Sequence, residues 1–406
     1  MPQNDNKNNK IYIVSTVVLV GFFLSVLFHY VYGLYLNTSY PLNTFLFIPT
    51  DRFNDFFNPY YYSNTFNASA AAPIPYLPFA ILLMRLFALL PPVPALVVMI
   101  FLFLGFFLFQ NNRLIVNDIF NRYLKPQVFF IFSFLTYPML FAIDRGNIEL
   151  IVYIFIGMFL YGYYIKKSNW LSIIFLSMAI AMKIFPAVFL VLFVSDKKYR
   201  EAIYCLLSTV FITFTSLGLM SYLTKKSFLT IFNITRVSMS NYTKVYTIAM
   251  RGLNHGHTLW GIINVGSAIR GFSLTALLKP YEIFALIAFL IIALFIIFFE
   301  KENWRKVALL VLAMILLPHN SNDYTLLYVF FPLILFINST DTKRSSLYAF
   351  LFGLLLIPLD YYYFKLPSLP NDISISVLLY PIIMSLIIML IIWDGLKKKL
   401  MDNLTT

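Results

Sequence analysis

The chain has 406 residues, 60% of them hydrophobic, 19% aromatic and only 12% charged, with a mean hydropathy of +0.80. Soluble domains carry about 25% charged residues, so this chain lacks the charge to cover a water-facing surface, and an ordinary soluble enzyme is excluded. The net charge of +13 does not point to nucleic acid, because the Lys and Arg residues sit in short clusters between apolar runs, as the positive-inside bias requires.

Taken in chain order, a polar N-terminus (Met1 to Lys10) with no small-residue cleavage site precedes a first apolar run, Ile11 to Leu34, which reads as a retained helix rather than a cleaved signal peptide. A polar, aromatic-rich segment follows from Tyr35 to Pro75. Further apolar runs occupy 76–90, 93–110, 126–143, 148–165, 170–183, 185–195, 201–222, 280–299, 307–317, 325–337, 346–363 and 375–393. Runs near 20 residues span a bilayer core as helix. The expected fold is therefore all-α: one polytopic membrane domain over 1–406 with about 12 transmembrane helices.

The basic clusters set the orientation. Arg113/Arg122/Lys125, Lys166/Lys167, Lys197/Lys198/Arg200, Lys301/Arg305/Lys306, Lys343/Arg344 and Lys397/Lys398/Lys399 are expected on the cytoplasmic side. Segments 35–75, 144–147, 183–186, 223–279, 318–324 and 364–374 then face outward. With both termini cytoplasmic the crossings must be even in number. Thirteen runs are present, so one does not cross, and 76–90, which ends at Pro91-Pro92, is the best suspect. A second irregularity is expected at Lys183 and Pro186; a broken helix at membrane depth must line a cavity or lie under protein.

The outward segments are rich in residues that a membrane excludes. The first carries Asp51 and Asp55, four residues apart and on one face if helical; an interfacial segment with its acids in water is the plainer alternative. Asp144-Arg145-Gly146-Asn147-Ile148-Glu149 puts three charges between two apolar runs, where each is costly unless paired or functional. Arg145 is a candidate bidentate clamp for phosphate, with Asn147 adding amide donors and Gly146 admitting the backbone; a tight turn held by an Asp–Arg pair is the alternative. Lys183, the only charge between Trp170 and Ser195, either snorkels to the interface or meets an anionic lipid headgroup.

The long segment 223–279 forms the second outer segment and contains His255 and His257, the only close histidine pair. A zinc site needs more ligands than this pair supplies, so no metal is expected. Pro318-His319-Asn320-Ser321-Asn322-Asp323-Tyr324 is a last polar knot between two apolar runs. Tyr60, Tyr61 and Trp260 are candidates to stack on sugar faces, with aromatic-belt duty as the alternative. The lone cysteine, Cys205, precludes a disulfide within the chain. Acids, cations, amides and histidines thus gather opposite the basic loops, which fits a site for a substrate with an anionic headgroup and a lipid tail.

Five of these pieces in order resemble a known family: Asp55-Phe56-Phe57-Asn58-Pro59, Tyr76-Leu77-Pro78-Phe79, Asp144-Arg145-Gly146-Asn147-Ile148-Glu149, Lys183-Ile184-Phe185-Pro186 and Asn322-Asp323-Tyr324. They look like the polyprenol-phosphate-sugar-dependent enzymes of glycosyltransferase family 87, in the GT-C superfamily. The Arg-Gly-Asn-Ile piece is the most specific, and the resemblance covers roughly residues 11 to 338. It implies a GT-C fold, a catalytic carboxylate in the first outer loop, a polyprenyl-phosphate-linked sugar donor and inversion at the anomeric carbon. The family's acid precedes a Phe, which matches Asp55 better than Asp51.

On that footing Asp55 is expected to be the general base, with Arg145, Lys183 and Asn147 binding the donor phosphate. Asp144, His257, His319, Asp323, Tyr324 and Tyr60 are expected around the substrates. The acceptor is a glycan, lipid or surface protein, membrane lipids are the other partner, and no cofactor is needed because the protein's own cations can hold phosphate. The expected location is a bacterial inner membrane, with the site on its periplasmic or extracellular side. A polysaccharide polymerase, which more often carries several arginines in a large outer loop, and a lipid-linked glycan flippase or secondary transporter, built on repeats that this sequence lacks, are the alternatives. If Arg145 clamps phosphate through its planar fork, Arg145→Lys lowers transfer by about tenfold or more despite the retained charge. Unchanged transfer in that variant would leave Arg145 a turn residue.

Overall fold

The structure, a computed structural model, describes residues 2–37, 42–46, 53–65, 76–115, 131–132, 134–249, 256–341, 343–365 and 372–405. In chain order its helices are α1 (Pro2–Leu36), α2 (Asn54–Thr65), α3 (Pro78–Phe87), α4 (Pro92–Ile115) and α5 (Tyr137–Arg145). Next come α6 (Glu149–Leu160), which runs on as a π-helical turn over Tyr161–Lys166, α7 (Asn169–Met182), α8 (Leu190–Ser195) and α9 (Tyr199–Thr224). Then follow α10 (Phe228–Tyr242), also continued by a π-helical turn (Thr243–Ala249), α11 (Leu259–Arg270), α12 (Leu274–Phe298) and α13 (Asn303–Leu316). The C-terminal part holds α14 (Phe330–Asn338), α15 (Ser345–Leu354) and α16 (Ser376–Thr405). Besides helices, the described residues contain a two-residue antiparallel ladder, β1 (Tyr363–Phe364) with β2 (Ile373–Ser374), in the register Tyr363↔Ser374 and Phe364↔Ile373.

Among the described residues six helices are long and apolar enough to cross a membrane: Asn6–Leu36, Pro92–Gln110, Glu149–Lys166, Tyr199–Thr224, Leu274–Phe298 and Ser376–Lys399. The chain is an integral membrane protein of all-α class. Shorter apolar helices account for other runs, and α3 shows why length matters. Its ten residues rise about 15 Å at 1.5 Å each, half of a ~30 Å hydrocarbon core, so α3 alone does not cross.

Local chemistry sets the boundaries. Pro78 and Pro92 open α3 and α4, where a missing N–H costs nothing and the fixed φ suits the first turn. Ser168, Ser227 and Thr258 cap α7, α10 and α11 by accepting the N–H of Leu171, Thr230 and Gly261. The apolar run at 170–195 breaks where expected: α7 ends at Met182, Lys183 is extended (φ −145°, ψ 139°), and a short 3₁₀ turn with Pro186 follows.

The chain divides into two compact units, each taken here by itself. One comprises Met1–Arg52, Phe109–Asp144 and Arg251–Thr406. At its centre α13 is buried from Trp304 to Leu316, packed by α12, α14 and α16. Three basic clusters meet at one end of these helices. Arg305 pairs with Asp341 at 2.7 Å, Lys343 reaches the fully buried Asp394 at 3.1 Å, and Lys398 lies 3.5 Å from Glu302. Lys10 ends there too, its ammonium donating to the carbonyls of Phe336 and Ser339 at the C-terminus of α14. The polar knot at 319–325 and Ser376, which opens α16, stand at the opposite helix ends.

The other unit comprises Phe53–Leu108 and Arg145–Met250. Here α7 packs between α6 and α9, and α9 also packs on α3. The span Glu149–Lys166 has 67% of its most apolar window buried, against 22% for Tyr199–Thr224; α6 is a helix enclosed by protein. Its sidedness follows the same rule. Asn147, Glu149 and Lys183 sit at one end of α6 and α7, and Lys166, Lys167, Lys197 and Lys198 at the other.

In the first unit α1 and α15 approach through glycines. A Cβ on Gly353 would lie 2.8 Å from Cβ of Val17, an atom that only a backbone shift can move. Gly353→Ala is expected to cost about 1–3 kcal/mol by overpacking, seen as a lowered melting temperature of the detergent-purified protein. An unchanged melting temperature would show that this contact does not set the helix spacing.

Candidate active site

The turn between α5 and α6 organises the second unit's polar cluster. Gly146 has φ +60°, the left-handed region that costs an L-residue. A Cβ there would meet Cβ of Phe56 at 3.1 Å, Leu96 at 3.2 Å and Phe53 at 3.4 Å. Glycine thus lets the turn lie against the start of α2, where Asp55 stands. That start is itself a tight turn, with Phe53 at φ +54° and the N–H of Phe56 and Phe57 both bonded to the Phe53 carbonyl. Asp55, in the first turn of α2, gains from the positive end of the helix dipole.

Asn147, 2% exposed, links this acid to α6. Its amide Nδ2 donates to Asp55 Oδ2 at 2.7 Å, and its Oδ1 accepts the backbone N–H of Glu149 at 3.0 Å. One partner is an acceptor and the other a donor, so the amide has a single satisfied orientation. An Asp at 147 would set two carboxylates together, and a Leu would leave both partners unmet. The bond to Glu149 also satisfies one of the orphan N–H groups that every helix start leaves.

Glu149 is 4% exposed, and its carboxylate forms an ion pair with the Lys183 ammonium. That ammonium lies 5.4 Å from the Tyr76 ring centroid, within cation–π range. Burial, and behind it the charge of Asp55, push the Tyr76 phenol well above its ordinary pKa; it stays protonated in use. The phenol also interacts electrostatically with Tyr242 and Tyr246, which lie on α10 and its π-helical extension with ring centroids 4.6 Å apart. A carboxylate, an amide and an ion-paired ammonium therefore share one cluster with three tyrosines. Arg145, half-buried, ends α5 directly before Gly146.

A second polar cluster lies in the first unit. His257 Nδ1 is 3.0 Å from Asp323 Oδ1, and Nε2 is 3.0 Å from the Thr325 hydroxyl. Because a carboxylate only accepts, Nδ1 carries the proton. The Tyr137 hydroxyl donates to Asp323 at 2.6 Å and sits 3.3 Å from Asp360, which also accepts from Ser374 and Ser376. An isolated bridge, Gly256 with Asn322, pins the two segments together. His257 and Asp323 are 0% and 1% exposed, so each faces the other and the interior.

The remaining candidates fall elsewhere. His319 packs on Trp260 and Tyr281 at 5.6 and 5.4 Å between ring centroids, with Glu282 at 3.9 Å; burial lowers its pKa and Glu282 raises it. Tyr324 accepts from Asn322 and lies parallel to Phe141, and Asp144 is half-buried in the last turn of α5. Two aromatic expectations need correction. Trp260 is fully buried and Tyr60 is 4% exposed with its hydroxyl bonded to the Leu90 carbonyl at 2.7 Å, so neither offers a free face to a sugar. Tyr61 is exposed. Asp51 and His255 lie outside the described residues. Among those described, no group of three or more His, Cys, Asp and Glu side chains is placed to hold a metal.

Sequence reading did not single out Glu149, Tyr76, Tyr137 or Asp360 as site residues. For Glu149 a signal existed: an acid two residues after Asn147 at the mouth of an apolar helix. Tyr137 and Asp360 stand alone in apolar surroundings 223 residues apart, and nothing local pairs them.

With this geometry in hand, the comparisons place the chain. The family model for glycosyltransferase family 87 matches residues 75–318, and the chain belongs to that family: it is a membrane glycosyltransferase. Searches of curated proteins and of solved structures returned no match. The matched stretch includes Tyr76, Arg145, Asn147, Glu149, Lys183 and His257, whereas Asp55, His319, Asp323 and Tyr324 lie outside it. If the Gly146 turn sets the Asp55–Asn147 bond, Gly146→Ala costs about 1–2 kcal/mol from the left-handed backbone alone. Its melting temperature should fall and its transfer rate should fall with it. Wild-type values for both would show that the turn accepts a side chain.

Proposed function

We propose that this family 87 glycosyltransferase moves a sugar from a polyprenyl-phosphate donor to an acceptor hydroxyl, with Asp55 as general base. The observation that carries the reading is the Asp55–Asn147–Glu149–Lys183 chain, which sets a carboxylate and a cation on opposite arms of one helix start. Transfer from a lipid phosphate needs these two charges. The Asp55 carboxylate takes the proton from the acceptor hydroxyl as its oxygen forms a bond to the anomeric carbon. The bond from that carbon to the phosphate oxygen breaks, and the lipid phosphate leaves with the electron pair. Attack opposite the leaving group inverts the anomeric centre.

Charge grows on the leaving phosphate in this step. A fixed ammonium in a site shielded from water stabilises it, and removing one such donor typically costs about 10²–10³ in rate. Lys183 serves this role, and the guanidinium of Arg145, beside the same turn, serves as its planar counterpart. Asn147 holds Asp55 in one orientation, so the base needs no reorganisation when the acceptor arrives.

The sidedness of each unit supports a site on the outer face of a bacterial inner membrane. In both, the polar clusters stand at helix ends opposite the Lys and Arg clusters, and cytoplasmic loops are the basic ones. Segments 35–75 and 223–279 then form the outer loops, and a lipid-linked glycan, an envelope polysaccharide or a surface protein is the acceptor. His257, His319, Asp323, Tyr324 and Asp144 belong to this reading as residues that shape the outer end rather than as the base.

The test is incorporation of radiolabelled sugar from a panel of polyprenyl-phosphate sugars into membrane glycans, wild type against Asp55→Asn. The variant should melt like the wild type yet lose about 10²–10⁴-fold of the transfer rate, the usual share of a general base. Full activity in Asp55→Asn with loss in Asp51→Asn would move the base to Asp51. No transfer from any of these donors by well-folded wild type would overturn the assignment of a polyprenyl-phosphate donor and point to another class of sugar donor.

A further inference from the structure

Glu149 is an acid with an unusual station. It opens a helix that is enclosed along most of its length, at 4% exposure, where an unpaired carboxylate is costly. Its backbone N–H and its side chain do different jobs. The N–H holds the Asn147 amide that orients Asp55, and the carboxylate holds Lys183. Lys183 needs such a hold. It sits where α7 has ended and the backbone is extended, on a flexible four-carbon stem that carries considerable rotamer entropy. The Tyr76 ring lies on one side of the ammonium and Glu149 on another. Both sets of contacts lie within the same unit.

We infer that Glu149 is a positioning residue for the transfer reaction: its carboxylate fixes the Lys183 ammonium at the place where the leaving phosphate of the donor gathers charge. The inference rests on the reading of Asp55 and Lys183 given above and extends it to a residue that acts through Lys183. Because the Asn147 arm runs through the backbone N–H, a change in the Glu149 side chain leaves that hydrogen bond available while it removes the ion pair with Lys183. Glu149→Gln, nearly isosteric, keeps a hydrogen-bond acceptor but removes the charge that restrains the ammonium. Glu149→Asp keeps the charge one methylene short.

A double-mutant cycle separates this role from a purely structural one, since residues acting through one another are not additive. Transfer kinetics from the active polyprenyl-phosphate sugar are measured for wild type, Glu149→Gln, Glu149→Asp, Lys183→Gln and the Glu149→Gln/Lys183→Gln double variant, with melting temperatures alongside. Glu149→Gln should lose about 10–100-fold in kcat, less than the loss of the cation itself, with the acceptor KM unchanged. Glu149→Asp should recover part of that loss. The double variant should be no slower than Lys183→Gln alone, and it removes both charges together, so it tests the point even if Glu149→Gln folds poorly. Losses that multiply in the double variant, wild-type kcat in Glu149→Gln, or an effect confined to the acceptor KM would each overturn the inference. Absence of transfer by the wild type would instead overturn the assignment of function, and this inference with it.

Discussion

The polar cluster of the second unit depends on one backbone feature, the left-handed turn at Gly146. Without it Asn147 could not turn its amide to Asp55 while its carbonyl oxygen receives the N–H that opens α6. The turn leaves little room for a Cβ, which would sit 3.1–3.4 Å from Phe56, Leu96 and Phe53, so the packing of α2 and α4 against the turn and the orientation of Asp55 are linked. From this point the arrangement propagates. Glu149 is the first residue of α6, its carboxylate meets the lysine at the end of α7, and Tyr76, just before α3, covers that lysine.

Charge placement in the first unit follows the same physics with a different outcome. Asp394 is fully buried near the C-terminal end of α16, yet it meets Lys343, Arg344 and the Tyr348 hydroxyl. Burying a charge is tolerable only when paired, and removing one partner of such a pair typically costs about 3–5 kcal/mol. This network ties α16 to the segment between α14 and α15 and to Arg305 at the start of α13. At the other end of the same helices, His257 and Tyr137 both bond Asp323, and the Tyr137 hydroxyl also lies 3.3 Å from Asp360. The two ends are thus chemically unlike, one ionic and basic, the other built from hydroxyls, imidazole and carboxylates.

Membership of glycosyltransferase family 87 gives these contrasts a use. The donor proposed above would present a phosphate at the membrane interface and a sugar just beyond it. Helix ends at that depth are where a protein can place a cation without stranding it in hydrocarbon. Broken and shortened helices belong to the same picture. α3 is too short to cross, and α7 stops at Met182, just before Lys183; irregular backbone of this kind is tolerated at membrane depth only where it lines a cavity or lies under protein.

The sequence by itself determined the membrane class, the positions of the long helices and the family, because each rests on local pattern: run length, Pro and Ser at helix starts, basic clusters, and the Arg145-Gly146-Asn147-Ile148 and Lys183-x-x-Pro186 motifs. It also marked Asp55, Asn147, Lys183, His257 and Asp323 as residues out of place in an apolar chain. Their partners were another matter. Asp55 and Asn147 are 92 residues apart, Glu149 and Lys183 are 34, and His257 and Asp323 are 66. Periodicity says nothing about which of many polar groups will face one another across packed helices. Exposure was equally hidden: Tyr60 carries the same ring as its neighbour Tyr61 and Trp260 is likewise aromatic, and only packing decided that Tyr60 and Trp260 are enclosed and Tyr61 is not. Such choices belong to tertiary structure, because pairing and burial are properties of the surfaces that helices present to each other, and a one-dimensional pattern constrains those surfaces only along each helix.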